Sequence, residues 1–227
     1  MNKESTRWIK WAIGGCCLIG FLAGCAGPRE SGKTPQSLYD SAMQLYNKKK
    51  YEKAAEAFRK LKEEFPLSSV TPLAELRTAD AVFHNKSYAE AIPMYEEFKK
   101  LHPIHPEVPY ATYQVGMCYF EQMLSIDRDQ TATQKAIEQF RYLIENFPQS
   151  SYAADARKKL AVCQRHLAEH EFYVGRFYYR AGKYKAALGR FQGILKNYPD
   201  AGLDATLKKY IADCQEEIQK NEKKSKN

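Results

Sequence analysis

Four times along this chain a fixed set of apolar residues stands at helical spacing ahead of a proline, and this recurrence restricts the fold more than any other feature. In the first copy Tyr51, Ala54, Ala55, Phe58 and Leu61 precede Phe65-Pro66; in the second Tyr88, Ala91, Ile92, Tyr95 and Phe98 precede His102-Pro103. The third has Ala136, Ile137, Phe140 and Leu143 before Phe147-Pro148, and the fourth has Tyr184, Ala187, Leu188, Phe191 and Ile194 before Tyr198-Pro199. In every copy the aromatic residue stands eight positions before the proline. Steps of three and four put these side chains on one face of a helix, and the proline cannot continue that helix. A small residue follows thirteen positions after each proline: Ala79, Gly116, Ala161 and Ala212. Two helices approach closely only where side chains are small.

An antiparallel helix pair with a small residue at the crossing and an aromatic wedge resembles the tetratricopeptide pattern, whose unit is about 34 residues long. The expected fold is therefore all-α, a tetratricopeptide-type helical-repeat solenoid of about five units with the last incomplete. The proline intervals are 37, 45 and 51 residues, and the excess has a place in each case. Eight extra residues between Tyr119 and Ala136-Ile137, including Asp127-Arg128-Asp129-Gln130-Thr131, read as an insertion between the two helices of unit three. In unit four Ala161 and Gly175 both fit the small position fourteen residues apart, close to four helical turns. The simplest account is one long first helix from about Tyr152 to Arg180 with both residues as crossing points; a break near Arg165-His166 is the alternative.

The ends have a different character. Lys3, Arg7 and Lys10 precede an apolar run that closes on Leu22-Ala23-Gly24-Cys25, the order of a lipoprotein signal peptide over residues 1–24. Cys25 is the expected mature N-terminus and lipidation site, and the membrane is engaged through this N-terminal lipid. Residues 25–35 read as a lipidated flexible tether, 36–220 as the repeat domain and 221–227 as a charged disordered tail. A helix from about Leu203 to Gln219 caps the array through Leu207, Ile211, Cys214 and Ile218. Removing residues 1–24 leaves 32 basic and 26 acidic side chains of the original 35 and 27, a net charge of +6 rather than +8. That interspersed balance does not point to a nucleic-acid partner.

Chemistry-bearing motifs are sparse. Cys118, Cys163 and Cys214 each lie fifteen residues after a repeat proline, where the first copy has Ala81, so they read as small core-facing residues rather than a disulfide framework. His166 and His170 share a helix face, but no third ligand and no His-Glu-x-x-His arrangement accompanies them, so neither a metal nor another cofactor is expected. No Gly-rich phosphate loop or Gly-x-Ser-x-Gly elbow is present, and no catalytic residue is assigned. Phe172, Tyr173, Phe177, Tyr178 and Tyr179 exceed what the repeat pattern requires and suit either packing or recognition.

Two passages are more specific than the repeat alone. One runs from His102-Pro103-Ile104-His105-Pro106 through Tyr110-Ala111-Thr112-Tyr113 and Gly116 to Asp127-Arg128-Asp129-Gln130; the other from Leu167-Ala168-Glu169-His170-Glu171 through Tyr178-Tyr179, Gly182, Tyr184, Ala186-Ala187 and Arg190 to Tyr198-Pro199. Over Gln36 to Pro199 the chain resembles the BamD family, although its fifth unit has one clear helix and no complete second one. The resemblance implies a non-enzymatic scaffold at the outer membrane of a Gram-negative-type bacterium, on the inner leaflet and facing the periplasm. Its implied partners are the POTRA region of BamA, auxiliary Bam lipoproteins and unfolded outer-membrane proteins, the last held in a groove of the N-terminal repeats. Arg190 lies between members of the fourth apolar set and should leave the buried crossing at an edge; it is the principal candidate partner-binding residue, with Arg176 and Arg180 as further candidates, since a guanidinium pairs bidentately with acidic groups. A repeat lipoprotein acting as adaptor in cell-wall, Tol-Pal or pilus assembly is the alternative class.

Overall fold

The computed structural model describes residues 33–224, and all the regular structure in them is helical. The helices are α1 (Pro35–Asn47), α2 (Tyr51–Glu64), α3 (Thr71–His84), α4 (Tyr88–Leu101), α5 (Val108–Glu121), α6 (Thr131–Asn146), α7 (Ala153–Arg180), α8 (Tyr184–Asn197) and α9 (Asp204–Lys224). Each packs mainly on its sequence neighbours, so the order reads as four antiparallel pairs followed by the lone α9. This is the tetratricopeptide-type solenoid with an incomplete fifth unit. The expected signal peptide, Cys25 and most of the expected tether lie outside the described residues. Helix α9 extends to Lys224, so 221–224 are helical rather than part of a tail.

The second helix of each pair ends in the same way. The capping residues Phe65, His102, Phe147 and Tyr198 have φ/ψ of −137/61°, −126/56°, −131/54° and −137/57°. Each precedes a proline, whose ring excludes the α conformation from the residue before it. The turns within pairs also repeat: Lys49, Lys86 and Gly182 all take positive φ, 57°, 62° and 70°, two residues before Tyr51, Tyr88 and Tyr184. The insertion replaces that turn in unit three.

Phe58, Tyr95, Phe140 and Phe191 are all fully buried. Gly116 faces Phe140 and Gly175 faces Phe191 so closely that a Cβ on either glycine would stand 2.7 Å or 2.5 Å from the ring. Ala42 and Ala79, also fully buried, occupy the matching position in units one and two, 24 residues before Pro66 and Pro103. Ala161, expected as a second crossing point, is instead exposed. The reason is that α7 uses two faces: Ala153, Ala156, Cys163 and Leu167 are buried along its first half, while Ala168 and Gly175 in its second half lie roughly a quarter of a turn further round. Ala161 points the second way before α8 runs alongside it. Ala212 is exposed for a related reason, because no second helix of unit five lies against α9 among the described residues.

Cys118, Cys163 and Cys214 are buried free thiols in the array, as the spacing predicts. The core also holds a polar hub. The fully buried Asp80 accepts hydrogen bonds from Tyr95 Oη at 2.7 Å and Tyr110 Oη at 2.8 Å and pairs with Arg77 at 2.5 Å. Gln114 Nε2 donates to Tyr110 Oη at 2.7 Å, so α3, α4 and α5 are joined through one carboxylate. Burial first, and then the Asp80 charge, raise the Tyr95 and Tyr110 phenols above their ordinary range.

Candidate partner-binding site

The second half of α7 and the adjoining α8 carry the candidate residues. Tyr173, Arg176, Phe177 and Arg180 follow one another at three, one and three residues, which aligns them as a stripe on one face of α7. All four are exposed, Tyr173 by 43% and Phe177 by 59%. The face they leave uncovered is opposed to neither α6 nor α8, whose contacts are taken by the two buried faces. Arg176 lies over the Phe172 ring, 5.9 Å from its centroid, and Arg180 Nε donates to the Arg176 carbonyl at 3.4 Å. Both guanidiniums keep donors directed elsewhere, since each has five N–H groups.

Arg190 sits on α8 and leaves the buried crossing at its edge. Its Nη1 donates to Glu171 Oε2 on α7 at 2.6 Å, with the arginine side chain 45% and the glutamate 29% exposed. A half-exposed pair of this kind contributes about 0–1 kcal/mol. Its clearer effect is geometric, holding one side of the guanidinium against α7. No sequence signal points to this intramolecular partner, because Glu171 is nineteen residues away and on another helix.

The first half of α7 does something that spacing alone does not disclose. His166 Nε2 lies 2.8 Å from the Leu124 carbonyl and His170 Nδ1 2.6 Å from that of Ile126, so each ring donates an N–H into the 122–130 connection of unit three. Cys163 Sγ meets Met123 Sδ at 3.7 Å, and Lys159 lies over the Phe120 ring at 4.5 Å. Inside the connection, buried Gln130 donates to the Ser125 and Arg128 carbonyls, both at 3.0 Å. Asp129 accepts from the Thr131 N–H at 2.9 Å, a bond that lowers its carboxyl pKa and closes the first turn of α6. The eight-residue insertion and the fourteen-residue lengthening of α7 are thus two halves of one contact. The histidine pair is engaged with backbone carbonyls, and the described residues contain no group of three or more potential metal ligands.

In the N-terminal repeats a surface groove between α2, α3 and α4 is lined by Arg59, Lys62, Glu75, Met94, Glu97 and Phe98. Its charges are cross-linked: Lys62 reaches Glu75 at 2.8 Å and Glu97 at 4.0 Å, and His102 reaches Glu75 at 2.7 Å.

Known proteins match over nearly the same boundaries as the repeats. The family described as YfiO, outer membrane lipoprotein, matches residues 31–227. The outer membrane protein assembly factor BamD of Rickettsia prowazekii is 34% identical over 180 residues, covering 78% of this chain and 72% of that protein. The protein of the same name from Caulobacter vibrioides is 32% identical over 183 residues, covering 78% of this chain but 60% of that one. The chain therefore spans about three fifths to three quarters of these two relatives. A thermophilic tetratricopeptide protein from Thermus thermophilus is 16% identical with a TM-score of 0.43, covering 80% of this chain and 99% of that structure.

Proposed function

Because the chain belongs to the YfiO family of outer membrane lipoproteins, whose relatives are named outer membrane protein assembly factor BamD, we propose that it is a non-catalytic scaffold of the β-barrel assembly machinery. It is held at the inner leaflet of the outer membrane by a lipid on Cys25 and works on the periplasmic side. Its C-terminal repeats bind the POTRA region of BamA, its N-terminal repeats receive unfolded outer-membrane proteins, and auxiliary Bam lipoproteins join the same assembly.

The observation that carries the BamA assignment is the exposed stripe of Tyr173, Arg176, Phe177 and Arg180 on α7; Arg190 on α8 pairs with Glu171, which lies on the other side of α7 from that stripe, and is a separate candidate contact. Aromatic and arginine side chains give large contact area and bidentate hydrogen bonding for little lost rotamer entropy, and they dominate binding energy at protein interfaces. Acidic groups on the partner suit the guanidiniums.

Titration calorimetry of the soluble repeat domain with a purified POTRA region tests this. Arg190→Glu weakens binding, as does Arg176→Glu/Arg180→Glu. The intramolecular pair is controlled by Arg190→Glu/Glu171→Arg, which restores attraction between α7 and α8 but leaves the α8 position acidic. Binding that stays weak in this double variant supports contact with the partner; full recovery of affinity assigns Arg190 to internal bracing and contradicts the proposal. For the anchor, intact mass and membrane fractionation show acylation in the wild type and none in Cys25→Ser.

A further inference from the structure

Leu67 and Ile104 are 99% and 97% exposed, more than any other large hydrophobic residue described. Isolated exposed apolar side chains are common and carry no message. These two are not isolated in pattern, since each directly follows the repeat proline, Pro66 or Pro103, in consecutive units. In the next two units the same position holds Gln149 and Asp200. Leu101, 53% exposed, adds to the second of the apolar tips.

Both tips are built to stay extended. Thr71 Oγ1 donates to the Phe65 carbonyl at 2.6 Å across the first turn. In the second, His105 N–H donates to the His102 carbonyl at 3.0 Å, and both imidazoles pack on Phe98, with ring centroids 5.1 and 5.2 Å away. These contacts brace the two turns from which Leu67 and Ile104 project.

The topology fixes which edge of the array they occupy. Tyr46 near the end of α1, Tyr51 at the start of α2 and His84 at the end of α3 gather at one edge, with ring separations of 4.9 to 5.6 Å. The starts of α1 and α3 and the end of α2 consequently share the opposite edge, and the antiparallel α4 and α5 bring the Ile104 turn to it as well. The chain thus enters the repeats at Pro35 on the edge where Leu67 and Ile104 project. Pro35 is ten residues from Cys25, at most about 36 Å of chain.

We propose that this edge rests on the phospholipid surface, with Leu67 and Ile104 inserted at the headgroup boundary as a second attachment beside the lipid anchor. This placement rests on the reading of Cys25 as the lipidated residue. A pair of projecting knobs suits a fluid interface, which needs no complementary pocket, whereas a folded partner would have to supply two. Tethering raises the local concentration of membrane, so weak insertion suffices once the anchor is in place. The contact would fix which face of the first two repeats looks into the periplasm.

Both tryptophans of the chain, Trp8 and Trp11, precede Cys25, so the mature protein has none and a single introduced tryptophan reports alone. The mature chain carrying Leu67→Trp, Ile104→Trp or, at the far edge, Asn85→Trp is coupled through the Cys25 thiol to maleimide-headgroup lipid. The vesicles are of phosphatidylethanolamine and phosphatidylglycerol with brominated acyl chains. Buried Cys118, Cys163 and Cys214 do not compete for the coupling. Emission is expected to be quenched severalfold more strongly for Leu67→Trp and Ile104→Trp than for Asn85→Trp. Equal quenching at all three positions, or none at either tip, overturns the membrane contact. A blue shift that grows with protein concentration and is insensitive to bromine assigns the edge to a second copy of the chain and also overturns it. Chemical coupling supplies the anchor here, so these outcomes are independent of acylation in the cell, which intact mass reads separately.

Discussion

Replacing Gly175 and Gly189 by alanine should have opposite effects, although both lie in helices of the same repeat pair. At Gly175 an added Cβ would lie 2.5 Å from Phe191 Cε1, 3.0 Å from Cδ1 and 3.1 Å from Cζ, whereas at Gly189 nothing stands within 4 Å. The Phe191 ring has little room to retreat, being fully buried with Phe172 and Tyr210 rings at 5.7 and 5.1 Å. Alanine gains about 0.5–1 kcal/mol over glycine in a helix interior by restricting the unfolded chain. Overpacking costs about 1–3 kcal/mol. Gly189→Ala therefore stabilises by about 0.5–1 kcal/mol, and Gly175→Ala loses most or all of that gain and is destabilising by up to about 2 kcal/mol. Urea unfolding followed by circular dichroism reads both, provided the denaturant slope is unchanged. Adding Phe191→Leu to Gly175→Ala should cost less than the sum of the single changes, because the clash is then relieved. Equal stabilisation by the two alanines would refute the close crossing of α7 and α8.

The Asp80 hub predicts that Asp80→Ala costs about 3–5 kcal/mol, because it strands Arg77, the buried Tyr95 phenol and the part-buried Tyr110 phenol, while Tyr95→Phe costs about 1–3 kcal/mol by leaving one carboxylate bond unmade; both are read from urea midpoints. His166→Ala/His170→Ala should raise amide exchange and proteolysis in 122–130 while leaving α8 and α9 protected, at about 1 kcal/mol per lost bond. Burial pushes the Cys118 and Cys163 thiols from 9.0 up to about 12, so the folded chain keeps protons that the unfolded chain releases. Their contribution is fully present below pH 9 and falls as pH rises towards 12; urea midpoints should show that slope, and Cys118→Ala/Cys163→Ala should reduce it most clearly between pH 9 and 10, below the range where the raised Tyr95 and Tyr110 phenols add to it.

The helical pairs could be read from sequence because each must bury one wedge and end at one proline, and both demands leave residues at fixed spacing. The insertion and the long α7 were visible as excess length for the same reason. Spacing did not show that they touch, since hydrogen bonds from His166 and His170 to loop carbonyls follow no periodicity and join residues more than forty positions apart. Ala161 shows the opposite failure: it satisfies the period, but the helix turns a different face to its neighbour at that height. The Asp80 hub is not legible in the spacing, because a polar residue inside an apolar helix face announces a partner without naming it. At the candidate site, the clustering of aromatics after Phe172 is legible, but which of them are exposed depends on which turn towards α8 and α9: Phe172 and Tyr179 pack on Tyr210, and Tyr173 and Phe177 do not. Arg190 lies between Leu188 and Phe191 in the apolar pattern of α8, which puts it at an edge of the buried crossing, whereas its Glu171 partner leaves no trace in the spacing.

Whether this chain works as a scaffold within the β-barrel assembly machinery is decided by the company it keeps in the envelope. Envelopes containing the tagged, full-length protein are extracted with gentle detergent, and the chains that accompany it through affinity purification are identified. A β-barrel protein with periplasmic POTRA domains is expected as a stoichiometric partner, lost or weakened on Arg190→Glu. Recovery with cell-wall, Tol-Pal or pilus-assembly components and without that barrel protein would contradict the assignment.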